Sequence, residues 1–142
     1  MSDLAGERYV SLATFRRSGA EVRTPVWIAP DGGRWVVYTN RHSGKVKRIR
    51  GGGRAAPGSA RAAPEAGWAR VRVAACNARG AVRGAFVEAR ARVVDDPADV
   101  ERGLAAVRRK YGWQMALAEV AGRLSGRWRD RTVLEVHPEA TS

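Results

Sequence analysis

The chain has 142 residues, a formal net charge of +12 and a single cysteine, Cys76. A chain of this length fits one domain, 1–142, large enough to bury roughly two thirds of its unfolded surface without disulfide or metal staples. One thiol excludes an internal disulfide, His42 and His137 give no cluster with metal-ligand spacing, and no apolar run approaches the roughly 20 residues of a membrane span. The segment Met1 to Arg8 lacks the charged-then-apolar layout of a signal peptide, so a cytoplasmic location with no membrane partner is expected. Of 26 basic residues only Lys45, Lys47 and Lys110 are lysines, a bias that a GC-rich coding sequence imposes regardless of function. The arginines are scattered and do not gather on one element, which argues against a dedicated nucleic-acid reader.

In chain order, Tyr9 to Phe15 has the β-branched and aromatic pattern of a strand, Arg16 to Gly19 is a turn, and Glu21 to Ile28 resumes an extended run, making a hairpin. Pro25 lies inside that second run. It cannot donate to a ladder, so an edge position or a bulge is required there. Pro30 to Gly33 is a further turn, and Arg34 to Thr39 is a strand that delivers the chain to a helix beginning at Ser43. From Gly51 to Gly67 the composition collapses to Gly, Ala, Pro, Ser and Arg with one Glu65, the pattern of a flexible surface loop. Trp68 to Ala75 and Ala85 to Val94 are two more strands around the turn Asn77 to Gly80.

Asp96, Pro97 and Asp99 mark a helix start, and Val100, Leu104, Val107 and Tyr111 recur at helical spacing up to Gly112. Trp113, Leu117, Val120 and Leu124 repeat a four-three-four spacing and predict a second amphipathic helix with these four in the core. Arg131 to Val136 closes the chain as a strand. Short turns between neighbouring strands imply an antiparallel sheet, and the order predicts a mainly β or α+β fold: a small barrel or half-open sheet of six strands with peripheral helices.

The segment Tyr38 to Arg50 carries the strongest functional signal. A strand stops at a helix start made of Ser43, Gly44 and the cations Lys45, Lys47 and Arg48, where unpaired backbone N–H groups and positive charge suit a phosphate. Cys76, with no orienting partner, is expected to be a buried small hydrophobe.

The motifs Arg23-Thr24-Pro25-Val26-Trp27, Trp35 to Asn40, Ser43 to Arg50 and Arg72 to Gly80 together resemble the pyridoxamine 5'-phosphate oxidase-like split β-barrel family, over about residues 9 to 137. Within it they are similar to the short actinobacterial members that use the deazaflavin coenzyme F420. The resemblance implies a six-stranded split barrel and a homodimer with the cofactor in a groove at the subunit interface. It also implies that Arg23, Thr24, Pro25, Val26 and Trp27 line the deazaflavin ring. Tyr38 and Thr39 would contact the polyol and phosphate region, and Ser43, Lys45, Lys47 and Arg48 would hold the phosphate. Flavin mononucleotide (FMN) oxidases of the family carry an arginine where this chain has Gly44 and a lysine where it has Ile28, so FMN is the alternative cofactor, behind F420. They also carry Arg-x-His where this chain has Glu135-x-His137, which argues against a pyridoxal substrate.

The implied activity is an F420-dependent oxidoreductase passing a hydride between reduced F420 and a small conjugated or quinone-like acceptor. Its alternative is a non-catalytic F420 or FMN carrier or sensor. Hydride transfer needs donor and acceptor stacked at contact, and the cofactor supplies the reactivity, so no protein acid or base is obligatory. The sequence shows no carboxylate pair or triad, and no catalytic residue is assigned.

Overall fold

The computed structural model describes residues 4–51, 67–126 and 130–139. The expected loop from Gly51 to Gly67 lies outside the described residues except for its two end glycines, and so does Trp128. Seven strands form one antiparallel sheet: β1 (Tyr9–Phe15), β2 (Glu21–Val26), β3 (Ile28–Asp31), β4 (Arg34–Asn40), β5 (Ala69–Cys76), β6 (Val87–Val93) and β7 (Arg131–Pro138). Three helices accompany them: α1 (Gly44–Arg50), α2 (Pro97–Tyr111) and α3 (Trp113–Ser125).

The sheet order is β2-β1-β5-β6-β7-β4-β3. The two outermost strands, β2 and β3, are therefore consecutive in the chain, with only Trp27 between them. A sheet whose edges are joined by one residue has to curl until those edges meet, and the result is a split barrel closed by the backbone and not by a ladder. Here the six-strand expectation is corrected to seven. The run from Glu21 to Ile28 changes partner at Trp27, Val26 pairing with Val10 of β1 and Ile28 with Val37 of β4. Pro25 sits opposite Ser11 in the edge strand β2, where its missing N–H breaks no second ladder. The β3–β4 hairpin turns on Gly32 and Gly33, whose φ values of +59° and +83° fit the two-residue turn that matches strand twist.

Two apolar clusters result from the strand alternation. Inside the barrel, Val10, Leu12, Val37, Val71, Val73, Leu134 and Val136 pack together, and α1 closes that interior with Val46 and Ile49. On the other face of β4 and β7, Val36 and Val133 meet Leu104, Val107 and Tyr111 of α2. Gly103 permits this approach: a Cβ there would come within 2.7 Å of a Val133 methyl. Cys76 is buried as expected, and burial pushes its thiol pKa up.

A second expectation fails on α3. The helix forms, but Trp113, Leu117, Val120 and Leu124 are 71%, 59%, 55% and 85% exposed, and only Met115 is buried. Periodicity finds the apolar stripe of a helix without saying what the stripe meets.

The barrel closure is pinned from α2. The Tyr111 hydroxyl accepts from the backbone N–H of Ile28 at 3.0 Å and donates to the Arg8 carbonyl at 2.7 Å, with the Ile28 carbonyl a second acceptor at 3.1 Å. Lys110 Nζ donates to the Ile28 carbonyl at 2.6 Å and also to the Glu7 carbonyl. Backbone groups that β2 and β3 leave without ladder partners at the break are thereby satisfied. Tyr111→Phe, which keeps the ring and leaves the Ile28 N–H unpaired, is expected to cost about 1–3 kcal/mol in urea unfolding; a change below about 0.5 kcal/mol would show that the clamp does not hold the closure.

Candidate functional site

Two adjoining depressions, of about 350 and 360 Å³, run beside the closure and share Tyr38, Thr39, Asn40 and Ala118. The first is lined by Tyr9, Pro25, Val26, Trp27 and Lys45 in addition to the shared residues. The second continues along Ala121, Gly122 and Ser125 of α3 to Arg131 of β7. Together they form an open groove with the strand ends as floor and the small-residue side of α3 as one wall. Trp27 has one face covered by Tyr111, the rings stacked at 4.5 Å and 11°, and it meets Tyr38 at 6.2 Å in a tilted contact. The aromatic floor is thus fixed by the same residue that pins the barrel.

At the β4–α1 corner the local sequence dictates the geometry. Asn40 Oδ1 accepts from the N–H of His42 at 2.8 Å, and Ser43 is the N-cap of α1, its Oγ accepting from the N–H of Val46 at 3.4 Å and lying 3.3 Å from Thr39 Oγ1. The helix is two turns long, so its dipole alone is a weak anion attractor. Cations supply the field. Arg48 Nε donates to the buried Thr14 Oγ1 at 2.6 Å. Burial, and then the neighbouring Arg48, lowers the Lys45 pKa; burial, and then Arg16, lowers that of Arg48. Neither Lys45 nor Arg48 has a carboxylate partner among the described residues. Two cations held close together and partly out of water, with the exposed Arg16 near one of them, are unfavourable by themselves and become favourable when an anion joins them.

Gly44 belongs to this arrangement. A Cβ at Gly44 would lie 2.8 Å from Nη1 of Arg48, so the missing side chain leaves room for the Arg48 guanidinium. One cation thus stands over the helix start although residue 44 contributes none. Ile28 is fully buried in the barrel interior.

Of the residues singled out by sequence, Pro25, Val26, Trp27, Tyr38, Thr39 and Lys45 line the groove, and Ser43 and Arg48 stand at its corner. Arg23 does not reach the groove: its Nε binds Glu21 at 3.0 Å and its guanidinium lies over Phe86 at 4.5 Å. Thr24 pairs with Leu12 on the alternate face of β2 and lines neither depression, and Lys47 points to solvent. The sequence reading missed Tyr9, Asn40, Arg16 and the α3 wall. The wall had a signal in the run Ala118, Ala121 and Gly122, small residues on the helix side opposite its apolar stripe. Arg16 had none, because a turn arginine acquires its neighbours only through the barrel.

A second polar cluster lies outside the groove. Glu135 is held by Arg34 at 2.6 Å, Arg92 at 2.6 Å and His137 at 2.7 Å, and His137 meets the Trp68 ring edge-on at 5.1 Å. Burial alone raises the Glu135 pKa, but the hydrogen bonds from His137, Arg92 and Arg34 outweigh it and bring the value down to about 2. The Glu135-x-His137 pair thus makes a structural ion cluster. Among the described residues no group of three His, Cys, Asp or Glu side chains is placed to hold a metal, and no helix is long and apolar enough to cross a membrane.

The fold is thus an antiparallel split barrel with an aromatic-floored groove, at whose corner Lys45 and Arg48 have no carboxylate partner among the described residues. The sequence profile of the pyridoxamine 5'-phosphate oxidase family matches residues 2–142, and the chain belongs to that family, whose members are mostly oxidoreductases. No curated protein matches the sequence. Among solved structures, the fold is similar to a heme storage protein from Vibrio cholerae (TM-score 0.62, 14% identity, 96% of this chain and 84% of that one). It is also similar to a conserved hypothetical protein from Mycobacterium tuberculosis (0.62, 18%, 99% and 82%) and to an F420 reductase (0.55, 21%, 98% and 93%).

The Glu135 cluster sets a pH limit. A carboxyl whose folded pKa lies below its ordinary 4.5 adds stability that is complete above pH 4.5 and is lost as pH falls toward about 2. Glu135→Gln should therefore destabilise the protein at pH 7 by up to about 3 kcal/mol, with the gap to wild type closing at the acid end of that window. Urea unfolding at pH 7 and pH 3 reads this directly, and a gap independent of pH would refute the assignment.

Proposed function

We propose that the protein is an F420-dependent oxidoreductase that transfers a hydride between reduced F420 and a small conjugated or quinone-like acceptor. The observation that carries the reading is the pair of cations Lys45 and Arg48, without a carboxylate partner among the described residues, at the corner of a groove floored by Trp27 and Tyr38. Such a groove fits a flat ring with a phosphate-bearing tail. Pro25, Val26 and Trp27 would lie against the ring, Tyr38 and Thr39 beside the polyol, and Ser43, Lys45 and Arg48 at the phosphate. F420 is preferred to FMN because Gly44 and Ile28 lack the two cations that FMN oxidases carry there, and Arg48 compensates for only one of them.

When bound, reduced F420 supplies a hydride from its ring. The chain's own contribution is to hold the ring flat on an apolar floor, anchor the phosphate at a fixed distance from it and narrow the access of water. Burial, outweighing Arg131, raises the Tyr38 pKa, so its phenol stays neutral and can donate to an acceptor oxygen. The proposal includes a homodimer with the cofactor at the subunit interface and a cytoplasmic setting. A second copy would cover a groove that is open in one chain.

A non-catalytic carrier or sensor is the second reading, favoured by the similarity of the fold to a heme storage protein. Heme fits this groove poorly: its described lining carries no imidazole, thiol or thioether, and Tyr38 is held away from phenolate.

Adding oxidised F420 to the purified protein should change the cofactor's fluorescence at low salt, and no change would sink the F420 reading. Lys45→Ala combined with Arg48→Ala should lower the affinity at least tenfold while the protein stays folded by circular dichroism, since each charge-assisted contact contributes roughly 1.5–3 kcal/mol. Unchanged affinity would place the phosphate elsewhere. Binding of reduced F420 without turnover of any acceptor in a conjugated and quinone panel would leave the carrier as the function.

A further inference from the structure

The turn from Asn77 to Gly80, which follows β5, lies at one end of the groove. It starts directly beyond Cys76, whose partner across the β1–β5 ladder is Tyr9, a residue of the groove lining. Gly80, at a φ of +91°, reverses the chain so that a Cβ there would lie 3.6 Å from Cδ of Pro25, a second lining residue. The turn is thereby packed on the Tyr9–Pro25 end of the first depression, the end proposed above for the ring.

This turn is fixed by hydrogen bonds and carries one cation. Asn77 Oδ1 accepts from the N–H groups of Arg79 and Ala81 at 2.9 and 3.0 Å, and the Gly80 N–H donates to the Asn77 carbonyl at 2.9 Å. Arg79 is exposed and, among the described residues, has no carboxylate partner, whereas Arg83 on the returning chain is held by Glu7 at 3.6 Å. Consecutive Cα atoms are about 3.8 Å apart, so Arg79 starts one residue from the Pro25 contact, and its side chain is long enough to extend over that end of the groove. It is a cation separate from Lys45 and Arg48, which are proposed for the phosphate.

A cation there meets the oxygen-bearing end of a flavin-type ring. β2 is an edge strand, and the backbone groups it turns away from β1 have no ladder partner among the described residues. The pyrimidinedione end of a flavin or deazaflavin, with alternating C=O and N–H groups, can pair with such an edge; the carbocyclic end has no such alternation. Charge also collects at the pyrimidinedione. A ring that takes up a hydride gains two electrons and one proton, hence one negative charge, which resonance places on N1 and the C2 oxygen. That charge leaves again when the hydride passes to the acceptor.

We infer that Arg79 stands over the pyrimidinedione end of the bound cofactor and stabilises the negative charge carried there in the reduced state, so that this residue sets the potential of the bound cofactor. The inference rests on the proposed reading of the groove as a cofactor site and adds the residue that favours the reduced form. A fixed opposite charge within about 4–6 Å favours the charged state of its neighbour, and the planar guanidinium fork suits two adjacent acceptor atoms. Lys45 and Arg48, at the phosphate, hold both redox states alike; Arg79 discriminates between them.

Equilibrium dialysis under nitrogen, with oxidised and with chemically reduced F420, tests this without turnover. Arg79→Gln should lower the affinity for the reduced form at least tenfold and leave that for the oxidised form unchanged, which lowers the bound two-electron potential by about 30 mV or more. Arg79→Lys, which keeps the charge, should lose less than threefold. Arg90→Gln removes the same charge from an exposed position beside Trp68 and should change neither affinity. Equal losses of both forms, or no loss of either, would overturn the inference, as would an Arg90→Gln that shifts the balance as much. Wild type that binds FMN but not F420 would remove the F420 reading, and the same two affinities measured with FMN, whose pyrimidinedione is identical, would then decide the role of Arg79. Wild type that binds neither would remove both.

Discussion

The structure depends on one topological constraint: the two edges of its seven-stranded sheet are the same run of chain, interrupted at Trp27. A ladder could have closed the barrel, but Pro25 and the change of partner after Val26 leave backbone groups open at that point. Tyr111 and Lys110, consecutive at the end of α2, supply the missing donors and acceptor. α2 can reach that far because Gly103 lets it lie directly on Val133. The groove is a consequence of the same break. Where β2 and β3 part, no ladder fills the space above Trp27, and Tyr38 and Thr39 at the end of β4 become its floor.

Charge is distributed in a way that sets the groove apart. Elsewhere among the described residues several carboxylates hold arginines in twos: Glu21 with Arg23 and Arg72, Glu88 with Arg70 and Arg72, Glu135 with Arg34 and Arg92, Glu119 with Arg108 and Arg131. The chain carries 14 acidic against 26 basic residues, and Lys45 and Arg48 have no carboxylate partner among the described residues. These two meet at the α1 corner, where partial burial makes their mutual repulsion more costly than it would be in open water. A folded chain retains such an arrangement at the expense of its own stability, and a bound anion would reverse that cost.

Much of this was legible in the sequence. Strand and helix positions follow from periodicity and caps: Asp96 with Pro97 starts α2, Ser43 starts α1, and Gly112 with a φ of +55° separates α2 from α3. The strand-to-helix corner at Tyr38 to Arg50 also follows, because its signals are local. What was not legible depends on contacts distant in sequence. The exchange of partner at Trp27 is marked locally only by Pro25, which signals an edge or a bulge without saying that the next residues pair with a different strand. Arg23 has the same composition cue as Arg48, yet strand alternation sends one to Phe86 and the other, through helix geometry, to Thr14. The stripe on α3 is the clearest case: a four-three-four pattern marks an apolar helix face, and whether that face is covered depends on packing between distant segments, which here buries Met115 and leaves the stripe exposed.

That stripe and the groove share one short helix. α3 is held to its own chain by a single buried side chain, Met115, and by the ion pairs of Glu119, between two glycines in conformations that favour glycine. Its stripe side and its groove side cannot shift independently, because a rotation that moves Leu117 and Val120 also moves Ala118 and Gly122. The groove wall is therefore anchored more weakly than the groove floor, which Tyr111 and Lys110 fix from α2 through the backbone of Ile28.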